Sequence, residues 1–129
     1  MPYSQHTDGL GELQRELGLL PDEILDRGER IVGKAMSNIK SGAVRRVRED
    51  RPAHLPHMAR SYSYDVTRNG RVITGEAGAD TTKLQGGLDV YYTYGTDHSA
   101  PHDHWWASFD EELPRFDRYA EDYLAELVE

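Results

Sequence analysis

The sequence predicts an α+β fold in which a long N-terminal amphipathic helix and a C-terminal helix pack on a small, mostly antiparallel β-sheet containing a hairpin. Three observations predict it. Apolar residues from Ile24 to Val47 recur at three- and four-residue steps, the period of a helix with one buried face. Tyr62, Tyr64 and Val66 then alternate with Ser63, Asp65 and Thr67 up to an Asn69-Gly70 pair, the pattern of a half-buried strand entering a tight turn. Phe109, Leu113, Phe116, Ala120, Tyr123, Leu124 and Leu127 return to helical spacing. At 129 residues the chain suits one domain, which buries roughly two-thirds of its unfolded surface.

The elements follow in order. Residues 1–20 form a leader whose leucines at 10, 13, 17 and 20 allow a short helix. Pro21 fits the first position of the long helix, 21–50, and Asp22 and Glu23 suit the positive end of its dipole. Pro52 and Pro56 stop that helix and stiffen an extended loop. A β-sheet region of three or four strands is expected over 60–95: the hairpin, with Asn69 and Gly70 supplying both positive-φ residues of a type I′ turn, an irregular stretch, and a last strand in "LDVYYTY". A loop over 96–106 leads to the C-terminal helix, 107–128. There Ser108 and Glu111 match a capping box, and Pro114 is expected to break or kink the helix.

Charge and composition narrow the function classes. Without cysteine there is no disulfide framework, thiolate zinc site or cysteine nucleophile. The longest apolar runs are only a few residues, and the N-terminal stretch has neither a basic nor an apolar signal-peptide region, so a soluble protein without export is expected. A net charge of −8 disfavours a general nucleic-acid binder. That charge is divided: Lys34, Lys40, Arg45, Arg46, Arg48 and Arg51 crowd one segment, and acidic residues dominate from Ser108 to the end. Such a split describes two solvated helix faces, or complementary ends of identical subunits that meet head to tail in a ring.

The chemistry-bearing stretch is "GTDHSAPHDHWW". His102 and His104, two apart, would share one side of an extended segment, and with His98 and a neighbouring aspartate they suggest a zinc or iron site. The spacing matches no metal signature, however, and a proline-stiffened contact loop is the simpler expectation, with no cofactor and no catalysis. No Gly-x-Ser-x-Gly elbow or phosphate loop is present, and the acidic run Asp110–Glu112 suits the first turn of a helix. Adjacent Trp105 and Trp106 cannot both enter one core from a regular element, so one is expected inside and one at a contact. Histidines as a class titrate in the mildly acid range, so contacts built from this loop would respond to pH.

The order of these pieces resembles the tail-completion family of long-tailed bacteriophages, small neck proteins that join the filled head to the tail tube. Pro52 and "MARSY", Met58 to Tyr62, are similar to the family's Pro-x-Asp-Thr-Gly-x-Leu-Arg-x-Ser segment, with Met58 in the leucine position and Ser61 in the serine position. His54, Leu55 and Pro56 replace its Asp-Thr-Gly. "YYTYGT", Tyr91 to Thr96, resembles the strand ending in aromatic-Gly-Thr, and "APHDHWWASFDEELPRF" the proline, aromatic, acidic-helix continuation.

The resemblance spans about residues 20–128. It implies a non-enzymatic virion protein, a tail-terminator or tail-completion subunit. Its ring, six copies being typical, would cap the tail tube, meet the neck or stopper protein, and let DNA pass its lumen without sequence-specific binding. Alternatives are a head-side stopper or adaptor ring and, in a different class, a small metal-binding enzyme using His98, His102 and His104. The candidate interface residues are Asn69 and Gly70 at the hairpin tip with Tyr94, Gly95, Thr96, His98, Pro101, His102, His104, Trp105 and Trp106 in the crossover loop.

Overall fold

A computed structural model describes residues 21–52 and 54–127; the expected leader helix lies outside them. The architecture is α+β: two long helices and a two-stranded antiparallel hairpin packed together. Helix α1, Pro21–Asp50, has Asp22 and Glu23 in its first turn and Arg48 in its last, matching the dipole at both ends. Its inward stripe of Val32, Ala35, Met36, Ile39, Ala43 and Val47 is at most 3% exposed. Arg51 ends the helix at φ 51°, its amide bonded to the Val47 carbonyl at 3.0 Å, and Pro52 prevents continuation.

After a 3₁₀ turn at Met58–Ser61, strand β1, Tyr62–Asn69, pairs with β2, Val72–Ala79. The register sets Tyr62, Tyr64, Val66 and Arg68 opposite Ala79, Ala77, Gly75 and Ile73. By strand alternation these eight share one face, and that face lies on α1. Gly75 permits the approach: a Cβ there would stand 2.6 Å from Met36 Cγ and 2.7 Å from Val32 Cγ1. At the tip of the hairpin Arg68 reaches back to α1, its Nη1 donating to Asp26 Oδ1 at 2.8 Å.

Four sequence-based expectations change here. The turn is centred on Gly70 and Arg71, with Asn69 paired to Val72; only Gly70 has positive φ, the type II′ pattern, so Asn69 is the last residue of the strand. "LDVYYTY" is no strand. It forms a 3₁₀ turn, Gly86–Leu88, running into a six-residue helix α2, Asp89–Tyr94, so the described residues hold a two-stranded sheet where three or four strands were expected. The C-terminal helix α3 begins three residues early and runs unbroken through Pro114, His104–Leu127. Asp110, whose carbonyl loses its partner at Pro114, is exposed like the proline itself, so water can satisfy that oxygen.

Ser108 does not cap α3. It is buried in the second turn, donating to the His104 carbonyl at 2.5 Å and accepting from Arg46 Nη1 at 2.9 Å. Across the α1–α3 contact, Asn38 Nδ2 donates to Glu112 Oε1 at 2.9 Å, and the Arg115 guanidinium lies 3.3 Å from the other oxygen of this buried carboxylate. Arg46 pairs with Glu111 at 2.7 Å, and its hydrogen bond holds the Glu111 carboxyl below its ordinary range. Arg27 pairs with Glu126 at 3.1 Å. Part of the charge split is thus answered within one chain.

Candidate interaction surface

Helix α2 is inverted relative to an ordinary amphipathic helix. Asp89, Tyr92 and Thr93, at i, i+3 and i+4, point inward, while Val90, Tyr91 and Tyr94 are 51%, 59% and 65% exposed. Burying a carboxylate is costly unless it is fully hydrogen-bonded, and Asp89 is. Its Oδ1 accepts from the Tyr62 hydroxyl at 2.5 Å and lies 2.9 Å from His104 Nε2; its Oδ2 accepts from Trp105 Nε1 at 2.9 Å and, at 3.5 Å, from Thr93 Oγ1.

Burial alone would raise the Asp89 carboxyl, but the hydrogen bonds from His104, Tyr62 and Trp105 outweigh it and hold the group below the usual range. Burial, with the Asp89 charge beside it, pushes the Tyr62 phenol far up. His104 Nδ1 is buried and has no hydrogen-bond partner among the described residues, which suits the tautomer carrying its proton on Nε2 and donating to Asp89. One carboxylate therefore joins β1, α2 and the start of α3.

The crossover is fastened next to this hub. Gly95 ends α2 at φ 82°, a conformation that favours glycine, and a Cβ there would stand 2.8 Å from the Ser99 carbonyl. Thr96 and Ser99 bridge each other, and the Thr96 hydroxyl accepts from the His98 amide at 3.2 Å. His102 stacks on the Tyr92 ring at 3.8 Å between centroids, with Nδ1 2.9 Å from the Tyr92 carbonyl oxygen and Nε2 3.5 Å from Asp50 Oδ2. The Tyr92 hydroxyl donates to that same Asp50 oxygen at 2.5 Å. The end of α1, the body of α2 and the loop are therefore one unit.

Around α2 part of the exposed surface is apolar. Leu84, Leu88, Val90, Tyr91, Tyr94 and Trp106 are all exposed, Leu84 most among the aliphatic ones at 61%. Val90, Tyr94 and Trp106 flank a groove whose floor includes Gly78 and Ala79 of β2. Leu84 also adopts φ 46°, which is unfavourable for a bulky residue, and its exposed side chain recovers little of that cost through burial.

The expected contact residues divide between surface and interior. Tyr94, Thr96, His98, Pro101 and Trp106 are exposed, Gly95 and His102 are half-buried, and His104 and Trp105, 3% and 1% exposed, act inside the fold as donors to Asp89. Asn69 and Gly70 are exposed at the hairpin tip, about 20 Å along β2 from Ala79. The three loop histidines do not converge, and no grouping able to hold a metal occurs among the described residues.

Leu84, Leu88, Val90 and Tyr91 escaped the sequence reading, as did the role of Asp89. The signal available was the polar pair Asp89 and Thr93 at i, i+4, which marks an inward polar stripe once the segment is taken as helical. No described helix is long and apolar enough to cross a membrane. No protein-family model matches the chain, and neither a curated protein nor a solved structure shows significant similarity to it.

Proposed function

We propose that this chain is a structural virion subunit, a tail-terminator or tail-completion protein of a long-tailed bacteriophage, which assembles with copies of itself into a ring, six being the expected number, between tail tube and neck. The observation that carries the assembly part is the inverted helix α2, which spends a buried carboxylate to hold Val90, Tyr91 and Tyr94 in water beside Leu88 and Trp106. Exposed aromatic clusters of this kind anchor protein interfaces. The tail attribution rests on the motif order, Pro52 with Met58–Tyr62, then Tyr91–Thr96, then the acidic helix.

In this reading the ring stops tube growth by presenting a face unlike that of the tube subunit, and DNA passes a lumen that does not grip phosphate, consistent with a net charge of −8. Negative-stain imaging of the purified protein at rising concentration tests it. Closed rings that bind tail-tube ends support a terminator. Rings that bind only a head-side connector would move the chain to the stopper position, and a monomer at every concentration would end the ring reading.

A further inference from the structure

The α1–α3 pair leaves two unmatched charged surfaces on opposite sides of one chain. The first is a groove along the C-terminal half of α1, where Lys40, Arg45, Arg48, Arg51 and Arg60 stand against the single acid Glu49. Arg45 is occupied by Glu111 and Glu49, and Arg60 lies against His57, but Lys40, Arg48 and Arg51 have no side-chain ion pair or hydrogen bond among the described residues. The second is the outer face of α3. At 100° per residue Trp106, Asp110, Asp117, Glu121 and Leu124 fall in one row, opposite the buried row of Trp105, Ser108, Glu112, Phe116 and Tyr123. Asp110, Asp117 and Glu121 are exposed and, among the described residues, also without a partner.

We infer that the groove of one subunit receives the outer face of α3 from the next, head to tail. The acids cannot reach their own groove, because the buried row that holds α3 on α1 points them away from it. The dimensions agree: Lys40 to Arg48 is about 12 Å along α1 and Asp110 to Asp117 about 10 Å along α3. The acidic row begins at Trp106, so it continues the aromatic surface of α2. Two different, complementary surfaces on one chain make a heterologous contact, which closes into a ring when the rotation per subunit allows. A free nucleic-acid strand is the less favoured occupant, since the chain as a whole carries −8 and would repel it.

This inference rests on the ring reading and names its contact. The experiment is charge exchange followed by native mass spectrometry, with Lys40→Glu/Arg48→Glu in one variant and Asp117→Lys/Glu121→Lys in another; Arg48, Asp117 and Glu121 are exposed and Lys40 is half-buried, and circular dichroism checks that the helices remain. Each variant alone should be monomeric at a concentration where the wild type is assembled. An equimolar mixture should reassemble in alternating, even-numbered species, because each reversed surface then meets its opposite. Raising the salt from about 0.1 M to about 1 M, which shortens the screening length from about 10 to about 3 Å, should also dissociate the wild type.

Wild-type rings with both variants still assembled would overturn this contact and leave the ring standing. A wild type that never assembles would overturn both. Assembly unchanged in Lys40→Glu/Arg48→Glu, together with loss of binding to a labelled DNA duplex, would assign the groove to phosphate and overturn the contact between subunits.

Discussion

Helices α1 and α2 face opposite ways in chemistry. The long helix buries Val32, Met36 and Ile39 and exposes its charges; the short one buries Asp89 and Thr93 and exposes Val90, Tyr91 and Tyr94. The first arrangement follows from the hydrophobic effect acting on a single chain. The second is stable only because four donors converge on one carboxylate, and it gives the chain an apolar surface it does not need for folding. If the outward face of α2 serves the proposed assembly, substitutions there should leave stability unchanged, and substitutions at inward residues should not.

The largest expected effect is at the hub. Asp89→Ala strands the Tyr62 hydroxyl and the Trp105 indole N–H in a dry site and should lower stability by about 3–5 kcal/mol in denaturant titrations. The pH dependence has a definite sign. The folded carboxyl is depressed below its unfolded value, so its contribution is fully present above about pH 4 and disappears as pH falls through the lower folded value. Acid titration of the unfolding free energy should show that loss in the wild type and not in the alanine variant.

Next in size is the α1–sheet contact. Gly75→Ala places a methyl against Met36 and Val32 and should cost about 1–3 kcal/mol through overpacking, measured by thermal or denaturant midpoint, with the α2 surface untouched. Smaller again is Leu84→Gly, which relieves a left-handed φ of 46° and should stabilise the monomer by about 1 kcal/mol while weakening assembly. A substitution on the outward face of α2, at Val90, Tyr91 or Tyr94, that destabilised the fold as much as Gly75→Ala would contradict the separation of the two faces.

The parts legible in the sequence were those governed by periodicity. Stripes of three- and four-residue spacing located α1 and most of α3, and strict alternation located β1, because each of those elements has one apolar face turned to one core. Helix α2 was misread for the same reason: Val90, Tyr91 and Tyr94 face out and Tyr92 faces in, so apolar residues surround it and imitate a strand covered on both sides. Pro114 and Ser108 misled because their local preferences were overruled. The carbonyl that Pro114 frees belongs to the exposed Asp110, where water can reach it, and the Arg46 contact holds Ser108 inside the helix. At the crossover the sequence separated exposed Trp106 from buried Trp105 only as an alternative. Which of them turned inward was decided by Asp89, fifteen or more residues away and invisible to any local pattern.

In the proposed assembly the outward face of α2 serves contact between subunits and not folding. Sedimentation velocity on the wild type and on Tyr91→Ser/Tyr94→Ser, with the denaturation midpoint of each, tests it most directly. Both tyrosines are more than half exposed, so the midpoints should agree within about 0.5 kcal/mol, while the wild type sediments as a closed oligomer and the variant as a monomer. Identical sedimentation of the two proteins, or a variant that loses stability in step with assembly, would contradict it.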